Sequence, residues 1–172
     1  DKELKVAFNR HSFWHCPLHL ADDKSTNYIT NNFDLFTVVR NPYSRCVSEY
    51  FCRWGGPRDN ERTASQLNSY ITQRLNQILK SPSNITVNGH FTPQYEYVFD
   101  KKGRQIIKHV LKFEQLQVEF DELMERYGLS VRLTQRDNSA DKNLSVDDLD
   151  ENTKNLIKLV YARDFQAFAY DV

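Results

Sequence analysis

The segment from Leu35 to Phe51 constrains this chain more than any other part of it. It opens with the run Leu35-Phe36-Thr37-Val38-Val39, which Asn41-Pro42 brings to a halt. A short apolar, β-branched run bounded by a turn predicts a buried strand over Asp34 to Val39. From Pro42 the period changes, because Tyr43, Cys46, Val47, Tyr50 and Phe51 recur at helical spacing and proline suits the first helical position. The local reading is therefore strand, tight turn, helix. Such a strand delivers Arg40 to its carboxyl end, where α/β sheets place ligands, and the next helix directs its first amides and positive dipole end at the same point. This is the design of a local anion site. Ser44 and Ser48 stand one turn apart on one helix face, so their hydroxyls can join the Arg40 guanidinium around a phosphate. Arg45 projects about 100° away from Ser44.

The remaining elements fit around this unit. Residues 1 to 32 are polar and rich in histidine, and Phe13, Trp14, Leu18 and Leu20 suggest a short element packed on the core. Gly55-Gly56-Pro57 ends the helix begun at Pro42, and a second amphipathic helix is predicted over Ala64 to Leu79, with Leu67, Tyr70, Ile71, Leu75 and Ile78 on one side. Ser81 to Asn88 reads as a loop. Tyr95 to Phe99 and Gln105 to Leu111 read as two strands around the turn Asp100-Lys101-Lys102-Gly103. Glu114 to Tyr127 reads as a helix capped by Gly128. Ser145 and Asp148 suggest a capping box before a C-terminal helix that carries Leu156, Ile157, Leu159, Val160, Phe165 and Phe168. Alternating helices and strands predict an α/β fold, and 172 residues suit a single domain.

Charge and cysteine usage narrow the chemistry. Lysine plus arginine equals aspartate plus glutamate at 23 each, which argues against a generic nucleic-acid or anionic-membrane surface. No apolar run reaches the roughly 20 residues that span a bilayer. The cysteines Cys16, Cys46 and Cys52 make no CxxC or Cys/His zinc spacing, so no metal is expected. Cys46 and Cys52 lie about 240° apart around a helix and should not bridge, whereas Cys16 could link to either. Asn84-Ile85-Thr86 and Asn143-Leu144-Ser145 are glycosylation sequons with meaning only in a secretory compartment.

The order of an apolar strand, Arg40-Asn41-Pro42-Tyr43-Ser44-Arg45, and a serine eight residues after the first arginine resembles the 3′-phosphate motif of PAPS-dependent sulfotransferases. Gly89-His90-Phe91-Thr92-Pro93-Gln94, then Phe113-Glu114-Gln115-Leu116 with Phe120-Asp121, then Tyr161-Ala162-Arg163-Asp164-Phe165 agree with the carbohydrate branch of that family, Golgi-type and related microbial enzymes. The resemblance implies a P-loop-like layered fold with a central parallel sheet flanked by helices. It implies transfer of a sulfuryl group from PAPS to a hydroxyl acceptor, a glycan or a small molecule, leaving PAP. Arg40 and Ser48 take the two phosphate-binding positions, with Ser44 beside them, and His90 and Gln94 take acceptor-site or loop-ordering positions. Golgi lumen is the implied compartment for a eukaryotic protein and cytoplasm for a microbial one.

The sequence departs from the family in one respect. A strand followed by a glycine-rich Lys-Thr loop for the 5′-phosphosulfate should precede the arginine motif, and residues 1 to 32 hold only Asp23-Lys24-Ser25-Thr26, with no glycine and no apolar strand before it. The resemblance thus implies a loop upstream of Asp1. Sulfuryl transfer also needs a base for the acceptor hydroxyl. His15, ahead of His19, is the preferred candidate by likeness to uronyl 2-O-sulfotransferases, with a carboxylate or an upstream residue as alternatives. Blander readings stand beside these: Arg40 as a structural arginine, Ser44 as a helix-surface hydroxyl, His15 and His19 as ordinary histidines, His90 as a loop-fixing group, and Glu114 and Asp164 as helix-start or ion-pair residues. A binding module without catalysis is the second reading of function. A small kinase is disfavoured, because no Gly-x4-Gly-Lys-Ser/Thr is present.

Overall fold

The computed structural model describes residues 17–52, 56–57, 62–81, 89–135 and 143–172. Its element order is α1 (Asp23–Asn32), β1 (Phe36–Val39), α2 (Pro42–Tyr50), α3 (Ala64–Lys80), α4 (Tyr95–Val98), β2 (His109–Lys112), α5 (Leu116–Arg126), α6 (Glu151–Val160) and α7 (Ala162–Ala167). β1 and β2 pair in parallel, with Phe36 opposite His109 and Val39 opposite Lys112. Helices and a small parallel sheet make this a mixed α/β structure.

The main core lies between helices. Leu67, Ile71, Leu75 and Ile78 recur on one face of α3 and are buried, meeting Cys46, Val47 and Tyr50 of α2 and Ile157 of α6. Thr63 starts α3 with a reciprocal capping box to Gln66, which supplies two of the first-turn partners a helix end requires. A second cluster joins Val39 of β1 to Val98, Ile107 and Phe168. Together these clusters clamp the β1–α2 turn from both sides.

Three sequence expectations change. The β1 strand is buried only in part: Val39 is buried, but Phe36 and Val38 are exposed. β2 is its one partner among the described residues, so one edge of β1 is unpaired there.

Tyr95–Val98 is a short helix, not a strand. Asp164 accepts the backbone N–H groups of Gln94 at 2.9 Å and Tyr95 at 2.8 Å, which starts a helical turn and removes amides a ladder would use. The Tyr95 and Phe99 rings stack at 4.3 Å across that turn, so a spacing that also suits a strand here serves a helix. Only an isolated antiparallel bridge, Phe99 to Gln105, remains of the expected hairpin. The Asp100–Gly103 turn is present, with the Asp100 carboxylate accepting from the amides of Lys102 and Arg104.

Finally, the Ser145–Asp148 capping box exists but closes a 3-10 turn over Val146–Asp148. Asp150 is the residue that caps α6, accepting from Thr153 N at 2.7 Å. α5 ends as expected: Gly128 takes φ 66°, its N–H bonds Glu125 O, and Leu129 N–H bonds Met124 O. No helix among the described residues is long and apolar enough to cross a membrane.

Candidate functional site

Arg40 follows β1 and precedes the first turn of α2, as the strand–turn–helix pattern requires. Its backbone is held by one side chain from a distant segment. Gln94 Oε1 accepts from Arg40 N at 2.8 Å, and Gln94 Nε2 donates to Arg40 O at 2.8 Å. Gln94 is itself buried and fixed, since Asp164 accepts from its backbone N–H at 2.9 Å. Asp164 is fully buried, and that burial raises its carboxyl pKa, while Arg45 and the amides of Tyr95 and Gln94 pull the other way.

The guanidinium is positioned as well. Arg40 Nε donates to Ser44 Oγ at 3.0 Å, and the cation lies 4.3 Å from the centre of the Phe113 ring. Cation–π contact and a hydroxyl together restrict a long side chain that would otherwise lose rotamer freedom on binding an anion. Ser44 Oγ in turn donates to Asn41 O at 3.2 Å, so its single proton serves the turn. Ser48 lies one turn further along α2 and is half-buried.

Asn41 supplies a correction to the simple helix-terminus picture. Its side chain caps α2 by accepting from Tyr43 N at 2.9 Å, and Pro42 has no N–H. Two of the first-turn positions therefore offer an anion nothing. Any anion at this turn would draw its donors chiefly from side chains such as Arg40 rather than from the helix terminus.

The loop after β2 completes the frame. Glu114 Oε1 accepts from Asn41 N at 2.9 Å, and Glu114 Oε2 accepts from Tyr170 OH at 2.9 Å. Burial and the Glu114 carboxylate both push the Tyr170 phenol well up, so it remains a donor. Arg45 lies on the other side of α2, where Nη2 donates to the carbonyls of His90 and Thr92 and the guanidinium sits 5.7 Å from the Tyr161 ring centre. Tyr161 OH donates to Phe91 O at 2.8 Å. Arg45 thus ties α2 to the 3-10 turn Gly89–Phe91.

His90 on that turn places Nδ1 2.9 Å from Glu49 Oε2. This hydrogen bond raises the imidazole pKa, against burial and the positive charges of Arg45 and Arg74. A cavity of about 250 Å³ beside β1 is lined in part by Glu49, His90, Arg45 and Gln94. An open groove of about 1040 Å³ between α1 and residues 100–108 is lined by Asp23 and Thr26 but not by Arg40, Ser44, Ser48, His90 or Gln94.

Among the sequence-derived candidates, the structure brings Arg40, Ser44 and Gln94 into direct contact. His90 belongs to the neighbouring Arg45 and Glu49 cluster. His15 lies outside the described residues, as does the side chain of His19, which falls in the 3-10 turn Leu18–Leu20. Asp23-Lys24-Ser25-Thr26 forms the first turn of α1, and the Asp22 carboxylate accepts from both Ser25 N and Ser25 Oγ. A carboxylate occupies the place an anion would need, so that segment does not suit a phosphosulfate. Glu114 and Asp164 are the contributors that a local reading leaves as generic helix-start or ion-pair residues.

The segments 89–94, 113–116 and 161–165 thus meet at the β1–α2 turn. The family model described as the sulfotransferase family matches residues 8–171. The chain belongs to the sulfotransferase family. No curated protein and no solved structure matches it. Membership of this family makes the chain a transferase domain of sulfuryl-transfer type, and the strand–turn–helix unit is its candidate anion site.

Proposed function

We propose that this sulfotransferase-family chain uses PAPS as donor and transfers its sulfuryl group to a hydroxyl of a carbohydrate. The observation that carries the reading is the double grip of Gln94 on the Arg40 peptide, joined by Ser44 and Phe113 on the guanidinium. An arginine fixed through backbone, Nε and ring face before any ligand arrives is preorganised for a phosphate. Arg40 and the Ser48 hydroxyl hold the 3′-phosphate, and Ser44 orients Arg40. PAPS, when bound, supplies the activated sulfuryl group and leaves as PAP.

Gln94 is a positioning residue in this reading, since both ends of its amide serve the Arg40 peptide. His90 faces the cavity beside β1 with Glu49 holding its Nδ1, a placement suited to the acceptor side. His15 and His19 stay the proposed sources of the base. Residues 1–172 form one domain of P-loop-like layered architecture in this proposal, with the phosphosulfate loop supplied from upstream. The acceptor is a glycan or a small hydroxyl compound, with no nucleic acid, membrane surface or resident metal taking part in the transfer.

Calorimetric titration of PAP tests the proposal, with ATP as control. PAP should bind, and Arg40→Ala should weaken binding by about 1.5–3 kcal/mol, the range for a hydrogen bond to a charged group. Equal PAP affinity in the two proteins would overturn the assignment. PAP binding without sulfation of any glycan or small hydroxyl acceptor, in a protein that carries the upstream loop, would favour a non-catalytic binding module.

A further inference from the structure

Glu49 is the penultimate residue of α2, Cys52 follows three residues later, and His90 lies on the 3-10 turn packed against that helix end. A carboxylate oxygen, a thiol sulfur and an imidazole nitrogen from these residues all fall within 4.8 Å of one another. His90 Nδ1 is the common point, 2.9 Å from Glu49 Oε2 and 3.8 Å from Cys52 Sγ. One proton on that nitrogen can serve the carboxylate or the sulfur, not both. A metal ion among the three would serve all of them.

We propose that Glu49, Cys52 and His90 bind one Zn²⁺ ion at the carboxyl end of α2. Tetrahedral coordination with bonds of about 2.0–2.3 Å puts neighbouring ligand atoms about 3.4–3.6 Å apart. The two separations from His90 Nδ1, 2.9 Å to Glu49 Oε2 and 3.8 Å to Cys52 Sγ, bracket that range, and the carboxylate and sulfur lie within 4.8 Å of each other. Thiolate, imidazole and carboxylate form a borderline-soft set that suits Zn²⁺ and disfavours Mg²⁺ and Ca²⁺, which take oxygen ligands. All three residues are half-buried, which leaves a fourth position for water.

Charge balance also fits. Arg45 and Arg74 lie close to His90 and oppose a lone cation. The Cys52 thiolate and Glu49 carboxylate carry two negative charges, which neutralise a dication. Binding releases the Cys52 thiol proton, and any proton on His90 Nδ1, to solvent. The bound ion would cross-link the end of α2 to the turn whose carbonyls grip Arg45, and so stabilise the helix that carries Ser44 and Ser48.

The test is titration of the metal-free, reduced full chain with Co²⁺ as a spectroscopic probe, followed by Zn²⁺ competition. The expected result is a near-ultraviolet thiolate-to-cobalt charge-transfer band that saturates at one equivalent and is displaced by Zn²⁺. Cys52→Ser should abolish the band. His90→Ala and Glu49→Gln should each weaken binding by at least about tenfold, with folding checked by circular dichroism. Cys16→Ser should leave the band unchanged. No charge-transfer band, or a band that survives Cys52→Ser or disappears in Cys16→Ser, overturns the site. Weak Co²⁺ association that none of the substitutions alters also overturns it, as adventitious surface binding. These readouts need no PAP and no transfer activity, so they stand apart from the nucleotide proposal.

Discussion

The side-chain amide of Gln94 pairs with the peptide of Arg40 as a neighbouring strand would, accepting from its N–H and donating to its C=O, each at 2.8 Å. Gln94 is buried, and Asp164 fixes it in turn. The position of Arg40 therefore depends on a side chain 54 residues along the chain and, through it, on Asp164.

Gln94→Ala should accordingly reduce both stability and nucleotide affinity. Loss of the two bonds takes the Gln94 partners away from partly buried Arg40 backbone groups, a cost of about 1–3 kcal/mol. For a domain of this size that is a fall of roughly 2–12 °C in Tm. PAP affinity should drop by less than in Arg40→Ala, because the guanidinium is still present. Differential scanning fluorimetry and calorimetry measure the two effects, and wild-type values in both would refute a positioning role.

Arg45 gives the opposite expectation. It reaches the His90 and Thr92 carbonyls and the Tyr161 ring from a position about 100° around α2 from Ser44. Arg45→Met keeps much of the apolar stem but removes the charged donor from those carbonyls, and a hydrogen bond to a charged group is worth about 1.5–3 kcal/mol. Chemical denaturation should show that loss at unchanged m-value. The PAP affinity of the folded protein should change less than in Arg40→Ala. A larger affinity loss for Arg45→Met than for Arg40→Ala would move the anion site to Arg45.

What the sequence made legible was local. The β1–α2 unit needs only an apolar run, Asn-Pro and a change of period, all within one stretch of chain, and the described structure has both elements in that order, with the strand starting at Phe36 rather than Asp34. The helix beginning at Ala64 was legible for the same reason, from its apolar period alone. The frame around Arg40 was not legible by pattern, because Gln94, Glu114 and Asp164 act across separations of 54, 73 and 70 residues. No periodicity carries information over that distance. Resemblance marked those segments and gave Gln94 an acceptor-site or loop-ordering role, without its contact to the Arg40 peptide. Tyr95–Val98 misled because its amide partner is the carboxylate of Asp164, far along the chain, and a four-residue element has too little period to reveal its type.

The two described thiols should separate in reactivity. Cys46 is buried, and that burial pushes its pKa up to about 12. Cys52 is half-exposed, and both are free. At pH 8 in the metal-free, reduced folded protein, iodoacetamide should modify Cys52 and spare Cys46, since the thiolate is the reactive species. Denaturant should then open Cys46 to the reagent. Peptide mapping by mass spectrometry reads the result, and equal labelling of the two in the native state would contradict the packing of α2 against Tyr161.

Asp150 supplies a pH-dependent test of the C-terminal helix. Its carboxylate caps α6 through Thr153 N at 2.7 Å, and the Thr153 hydrogen bonds lower its pKa from the ordinary carboxylate value. A carboxylate lowered on folding stabilises the native state above its unfolded pKa, near 3.9. That stabilisation disappears as pH falls through the lower folded value. Asp150→Ala should therefore reduce stability at pH 7 toward the low end of the helix-cap range, about 0.5–2 kcal/mol, because the residue is exposed to solvent. The gap between variant and parent should narrow steadily below pH 4. Urea denaturation of both proteins at pH 7, 4 and 3 measures it, and a gap that widens on acidification would show that Asp150 stabilises α6 by something other than its charge.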